Sequence, residues 1–315
     1  MPTAFSPQVV IPPPNGRRAA GGEVVRFGGE ALGTRWSVAV TSTEPNAPRA
    51  LQARCERAFD LVVRQMSQWE PASELSRFNE SAAGSVHAIS PQFAHVLAAA
   101  LDLATASGGA FDPALGAASD AWGFGAVPGV ATPGGRWREL ALDAATGSLR
   151  QPGGVRLDLS GIAKGYAVDL LSQVCGDAPH LVEIGGELRG LGGKADGQPW
   201  WVELARVPGS EAAPVRIALS GWSVATSGDW ERRRSDGRRS WSHTLAPATG
   251  TPIECLRAAT VLHPGCLQAD GIATVMMVLG AAKGLAWADS RGLAVRLTDL
   301  EGGVHESRSW RRFAQ

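Results

Sequence analysis

The sequence predicts an α+β fold that forms one unit after a short N-terminal arm. Segments with apolar residues at every second position are mixed along the chain with segments whose apolar residues recur at helical spacing. After residue 22 no linker and no repeat interrupts this pattern. The apolar fraction of 44% is ample for a sizeable core, and 39 Gly with 20 Pro predict many turns.

Residues 1–22 are expected to be a disordered arm, because Pro12-Pro13-Pro14-Asn15-Gly16 cannot build a core. The remaining unit spans 23–315. Val24, Val25 and Phe27, then Trp36, Val38 and Val40, predict two strands joined at Gly28-Gly29. A helix is expected after Pro48, with Leu51, Cys55, Phe59, Val62 and Met66 on one face. Ser73 begins an N-cap and short turn. Ser90 caps a second helix with Pro91 at its first position, and Gly108-Gly109 end it. Ala110-Phe111-Asp112-Pro113 reads as an extended turn bearing a carboxylate, and 116–138 as irregular loop.

Next comes Leu157 to Asp169. Val155, Leu157 and Leu159 alternate as in a strand; from Ser160-Gly161 the spacing turns helical and holds to Gly176. Strands are expected at 181–184, 200–204, 215–219 and 260–262. Ser223 to Gly228 leads into a hairpin that turns at Ser235-Asp236-Gly237 and returns through Trp241 to Gly250. Ala269 to Leu279 is helical, Gly280 interrupts, and a second helix follows to about Ser290. Two strands around Glu301-Gly302-Gly303 close the chain.

Lys+Arg 30 balance Asp+Glu 30, so no global field attracts nucleic acid or an anionic membrane. An anionic ligand must therefore be held by local geometry. Cys55, Cys175, Cys255 and Cys266 show neither C-x-x-C nor zinc spacing and read as buried thiols, with a Cys255–Cys266 bridge the alternative. No run of 18 apolar residues is present, so no transmembrane segment is expected. Nor does the N-terminus show an apolar signal core or a lipid-accepting cysteine. As written, the chain is expected in the cytoplasm; a trimmed or mis-started export signal would place it in the periplasm.

Several residues are candidates for chemistry. A strand entering a helix at Ser160-Gly161 would point free N–H groups at the turn, an anion site to which Lys164 adds charge. Asp158 can accept there. An ordinary strand-turn-helix with a solvated lysine fits the same residues. His243, between small polar residues, can take a proton from a hydroxyl or be structural. Asp270 and Thr274 share a helix face and form a hard-oxygen pair suited to Mg²⁺, or else a first-turn acid and a back-bonded threonine. The run Arg232-Arg233-Arg234 with Arg238-Arg239 is interspersed with Glu231 and Asp236, which favours a solvated hairpin tip over a nucleic-acid surface.

Taken in order, the segments resemble one family, the FAD:protein FMN transferases or ApbE family. They are Leu32-Gly33-Thr34, Met66-Ser67, Gly109 to Pro113, Leu157 to Asp169, Gly185-Gly186-Glu187, Ala225 to Asp229, Ser242-His243 with Pro247 and Thr249-Gly250, and Ala269-Asp270 with Thr274. The resemblance implies a mixed, T-fold-like α+β assembly. It implies binding of FAD and Mg²⁺ and transfer of FMN to a threonine hydroxyl of a target flavoprotein, with release of AMP. By it, Met66 meets the flavin, and Ala110, Phe111, Asp112, Asp158 and Lys164 contact FAD. The Gly161 carbonyl, Asp270 and Thr274 hold the metal, and His243 serves transfer. An unperturbed imidazole would lose that role below about pH 6. Trp69 stands where many relatives have tyrosine. Ala273 stands where some carry a second acid. A hydrolase giving FMN and AMP, and a flavin-binding protein without turnover, are the alternative readings.

Overall fold

The structure, a computed structural model, describes residues 6–16, 21–43, 47–130 and 132–315. Its frame is an eight-stranded antiparallel sheet. From one edge to the other it runs Val304–Glu306, Ala294–Thr298, Ala258–His263, Trp222–Gly228, Glu187–Leu191, His180–Ile184, Thr34–Ser42 and Glu23–Ala31. Helices cover one face: α1 (Ala47–Met66), α2 (Glu74–Asn79), α3 (Pro91–Ala106), α5 (Ala163–Cys175) and α6 (Cys266–Ser290) contribute to the main core, while α4 (Gly116–Ala121) packs beside the segment 155–159. The other face carries a small sheet of Gln8–Val10, Val215–Leu219 and Trp200–Glu203, together with α7 (Arg308–Phe313).

Strand alternation divides the two cores. Val38, Val40, Val182, Ile184, Ala225 and Val261 point into the helix-side core, while Ala39, Val224 and Leu262 point into the other. The expected helices form as their caps dictate. The hydroxyls of Ser73 and Ser90 accept from the N–H of Ser76 and Phe93, at 2.9 and 3.3 Å. Gly280 adopts φ 72° and bends α6 where the sequence placed an interruption. By length and composition α6 could cross a bilayer. Here it is a bent core helix, with Ile272, Val275, Met276 and Met277 buried.

Five expectations about backbone elements fail, each for a physical reason. Gly28-Gly29 lies inside the strand Glu23–Ala31, and the hairpin turns at Leu32-Gly33 instead. The glycines make room for the neighbouring strand, since a Cβ at Gly28 would lie 2.3 Å from the Trp36 carbonyl oxygen. Within the expected disordered arm, Gln8–Val10 pairs parallel to Val215–Leu219 and buries Val10 completely. Trp222 Nε1 then donates to the Pro13 carbonyl at 2.7 Å. Residues 1–5 and 17–20 of that arm lie outside the described residues. The stretch 116–138 contains α4 and a 3₁₀ turn, Arg136–Glu139. The closing strand expected from Val304 to Trp310 forms only over Val304–Glu306, and Arg308–Phe313 folds as α7 instead.

The fifth correction concerns 155–159, which is extended but joins no sheet. Asn79 stands in for a neighbouring strand: its side chain donates to the Leu157 carbonyl at 2.9 Å and accepts from the Leu157 N–H at 2.7 Å. Period-two sequence thus marks alternate burial here without a ladder.

Gly165 fixes how α5 meets α6. A Cβ there would lie 2.4 Å from the Cys266 carbonyl oxygen and 2.7 Å from Asp270 Cβ. Gly165→Ala is therefore expected to destabilise by about 1–3 kcal/mol, although alanine favours a helix elsewhere. Urea unfolding measures this; equal or higher stability would show that the helices can move apart freely.

Candidate functional site

Segments from across the chain converge on one cleft of about 300 Å³. Ala110, Phe111 and Asp112 come from the turn after α3; Asp158, Gly161 and Lys164 from the entry to α5. Asp270 and Thr274 come from the first half of α6, Thr226 to Gly228 from a central strand end, and His243 to Leu245 from the segment after the hairpin. All but one of the site residues expected from sequence line this cleft. Met66 lines a smaller adjoining lobe of about 120 Å³, with Leu32, Val62 and Trp69.

The N-terminus of α5 is not left open for an anion, as the sequence suggested. Asp270 reaches across from α6 and accepts the Gly165 N–H at 2.8 Å. Asp270 is buried, and burial pushes its carboxyl up, against the pull of Lys164 and this N–H. Lys164 forms an ion pair with Glu187. Burial opposes the lysine's charge, but Glu187 and Asp270 outweigh it and raise its pKa. Glu187 Oε2 is buried with no partner among the described residues.

Two expected acceptors are already engaged. Asp112 takes N–H bonds from Gly135 at 2.5 Å and Ala114 at 2.8 Å, so it anchors the loop beside the cleft. Asp158 accepts from Ser119 Oγ at 2.6 Å and from the Ser160 N–H at 2.9 Å. Both still line the wall. His243 sits at a bend just past the strand Ser240–Ser242, with Phe124 edge-on at 6.2 Å between ring centroids. Burial, reinforced by the Arg232 charge, lowers its pKa to about 4. Its Nδ1 is buried and unpartnered among the described residues.

The donor set for a cation is one carboxylate, one hydroxyl and backbone. Among the described residues no group of three or more His, Cys, Asp or Glu side chains could hold a metal. Thr274 Oγ1 lies against Gly161, 3.0 Å from where a Cβ would stand, so any side chain there would crowd the hydroxyl. Ala273 is fully buried in the core and does not line the cleft, so it adds no donor beside Asp270 and Thr274. All-oxygen donors, a desolvated carboxylate and an open side toward the cleft fit a hard cation that keeps waters and substrate oxygens.

Residue-by-residue reading missed Glu187, Arg232, Ser119 and the Thr226–Gly228 strand end. Glu187 follows Gly185-Gly186 at a strand start; the segment entered the family resemblance, but its place in the site shows only in the buried pairing with Lys164.

Fold and cleft define an α+β protein with a charge-rich, partly buried small-molecule site. A family model described as the ApbE family matches residues 32–297, and the chain belongs to that family. It is similar to the FAD:protein FMN transferase of Vibrio cholerae, 33% identical over 291 residues, covering 87% of this chain and 86% of that protein. The protein of the same name from Haemophilus influenzae is 32% identical, covering 87% and 86%. Among solved structures, the Pseudomonas stutzeri flavinyl transferase ApbE in its apo form superposes with a TM-score of 0.82 at 32% identity, covering 92% of this chain and 96% of that one.

Proposed function

We propose that this protein transfers FMN from FAD to a threonine hydroxyl of an acceptor flavoprotein and releases AMP. The observation that carries the reading is the meeting of His243, Lys164 and the Asp270–Thr274 pair in one cleft, although they are spread over a hundred residues of sequence. In the reaction the threonine oxygen forms a bond to the FMN phosphorus. The bond from that phosphorus to the bridging oxygen breaks, and AMP leaves with the electron pair. His243, neutral across physiological pH, takes the hydroxyl proton. Lys164 neutralises phosphate charge as it shifts toward the leaving group. Met66, with Leu32 and Val62, offers an apolar wall for the flavin ring. Asp270, Thr274 and the Gly161 backbone would hold Mg²⁺. The ion, when bound, neutralises phosphate oxygens and acts as a Lewis acid.

The direct test is incubation with FAD, Mg²⁺ and candidate acceptors, followed by mass spectrometry. An acceptor gaining the mass of FMN with matching AMP supports transfer. Free FMN and AMP with no modified acceptor would indicate a pyrophosphatase, and unchanged FAD a binding protein.

Lys164→Gln is expected to weaken FAD binding by about 1–3 kcal/mol, the cost of losing a hydrogen bond to a charged group. It should also lower stability, because Glu187 then stays buried without a cation. A flavin titration at fixed salt that returned wild-type affinity would show that Lys164 serves Glu187 alone.

A further inference from the structure

The main cleft and the smaller lobe share four lining residues: Asp158, Ser160, Lys164 and Arg232. These four form the seam between the lobes. Two of them are cations, brought there by unrelated elements. Lys164 stands in the first turn of α5, and Arg232 in the segment between the strands Trp222–Gly228 and Arg233–Ser235.

Three of the four arginines that follow Arg232 in the hairpin have side-chain partners. Arg233 pairs with Asp229 at 3.3 Å, Arg239 approaches Asp236 at 3.9 Å, and Arg234 donates to the Gly123 carbonyl at 3.0 Å. Arg232 has no ion-pair partner among the described residues, and it alone of the five faces both lobes. The side chain is exposed, so its charge stays solvated until a ligand arrives. A guanidinium presents a planar fork of donors that matches phosphate oxygens two at a time.

This inference rests on FAD being the substrate. Such a ligand has two ring systems joined through a pyrophosphate. If its rings occupy the two lobes, the middle of the molecule crosses the seam. The apolar side of the smaller lobe suits the flavin end, which leaves the nucleotide end to the main cleft. We propose that Arg232 is a substrate-binding residue that grips the pyrophosphate of the flavin dinucleotide at the seam, across from Lys164. The basic run read from sequence as a hairpin tip then has two parts. Arg232 serves the ligand, and Arg233, Arg234 and Arg239 brace the hairpin that presents it.

The test compares FAD with riboflavin, which carries the ring and the ribityl chain but no phosphate. Affinities are measured by flavin fluorescence for the full-length wild type and for Arg232→Gln, Arg232→Lys and Arg238→Gln. Arg232→Gln is expected to lose about 10- to 100-fold in FAD affinity, with riboflavin affinity unchanged. Arg232→Lys should recover part of the loss, as a point charge without the fork. Arg238→Gln removes a charge from the same hairpin at a residue that lines neither lobe, and should bind FAD like the wild type. An equal loss of riboflavin affinity in Arg232→Gln would show a collapsed hairpin and overturn the assignment. So would unchanged FAD affinity in that variant, or an equal FAD loss in Arg238→Gln, which would point to a diffuse field. A wild type that binds FAD but transfers no FMN would defeat the transfer reading and leave the Arg232 result standing. A wild type that does not bind FAD would sink both.

Discussion

Asp270→Asn is expected to reduce FMN transfer by about a hundredfold or more while the protein stays folded. Asparagine keeps an oxygen that can accept the Gly165 N–H, the bond Asp270 makes at 2.8 Å. What it removes is the negative charge, in a place where burial makes charge count most. The sequence offered Asp270 as a metal ligand or as a first-turn acid of its own helix, and alanine would be the natural test of the former. The structure gives it a second task at the head of α5. Asp270→Ala would therefore also remove a cap, at a cost of about 1 kcal/mol, and would mix lost folding with lost chemistry. Divalent-cation titration of the asparagine variant by calorimetry, without FAD, separates the two. Transfer at the wild-type rate, together with a wild type indifferent to chelator, would remove Asp270 from the metal site.

His243→Ala is expected to lose about 10²–10⁴-fold in transfer and to keep FAD affinity. A threonine hydroxyl holds its proton too tightly to attack at neutral pH, and a neutral imidazole in reach removes it as the new bond forms. The structure changes the pH dependence. With the ring's pKa lowered to about 4, His243 is neutral above that value and a base throughout the ordinary range. The acid limb of kcat/KM, which reports the free enzyme, should therefore lie near pH 4 rather than near 6. The competing role is a hydrogen bond from the ring to a phosphate oxygen. His243→Gln distinguishes the two, since glutamine donates but is not a base. Near wild-type transfer by that variant would end the general-base assignment, whereas an acid limb at pH 6 would show that burial does not shift the ring in the free enzyme.

The extent to which sequence disclosed this site can be seen residue by residue. Ser90 and Pro91 announced α3 because a cap is a local device: the side chain and the N–H it satisfies are three residues apart. Asp270 and Thr274 could be paired because helical spacing puts i and i+4 on one face. Gly280 announced the bend in α6 for a similar reason. The segment 155–159 misled because alternation reports which side chains are buried, not what the backbone bonds to. Its partner is Asn79, far away in sequence. The parallel strand at Gln8–Val10 was missed because a proline-rich stretch follows it at once, and the segments it pairs with, Val215–Leu219 and Ala314, lie far away in the sequence.

By itself, then, the sequence determined the α+β class, the main helices with their caps, and the family resemblance that named His243, Lys164, Asp270 and Thr274 together. Those features rest on short-range bonding and on residue types held in order along the chain. Tertiary structure alone decided that Asp270 caps α5, that Glu187 pairs with Lys164, that Asp112 is tied to Gly135, and that Arg232 stands at the seam of two lobes. It also decided the protonation of His243, because burial and a neighbouring guanidinium set that pKa. Each of these depends on groups separated in the chain meeting in the fold, and for the buried ones charges interact strongly only after folding has removed the solvent between them.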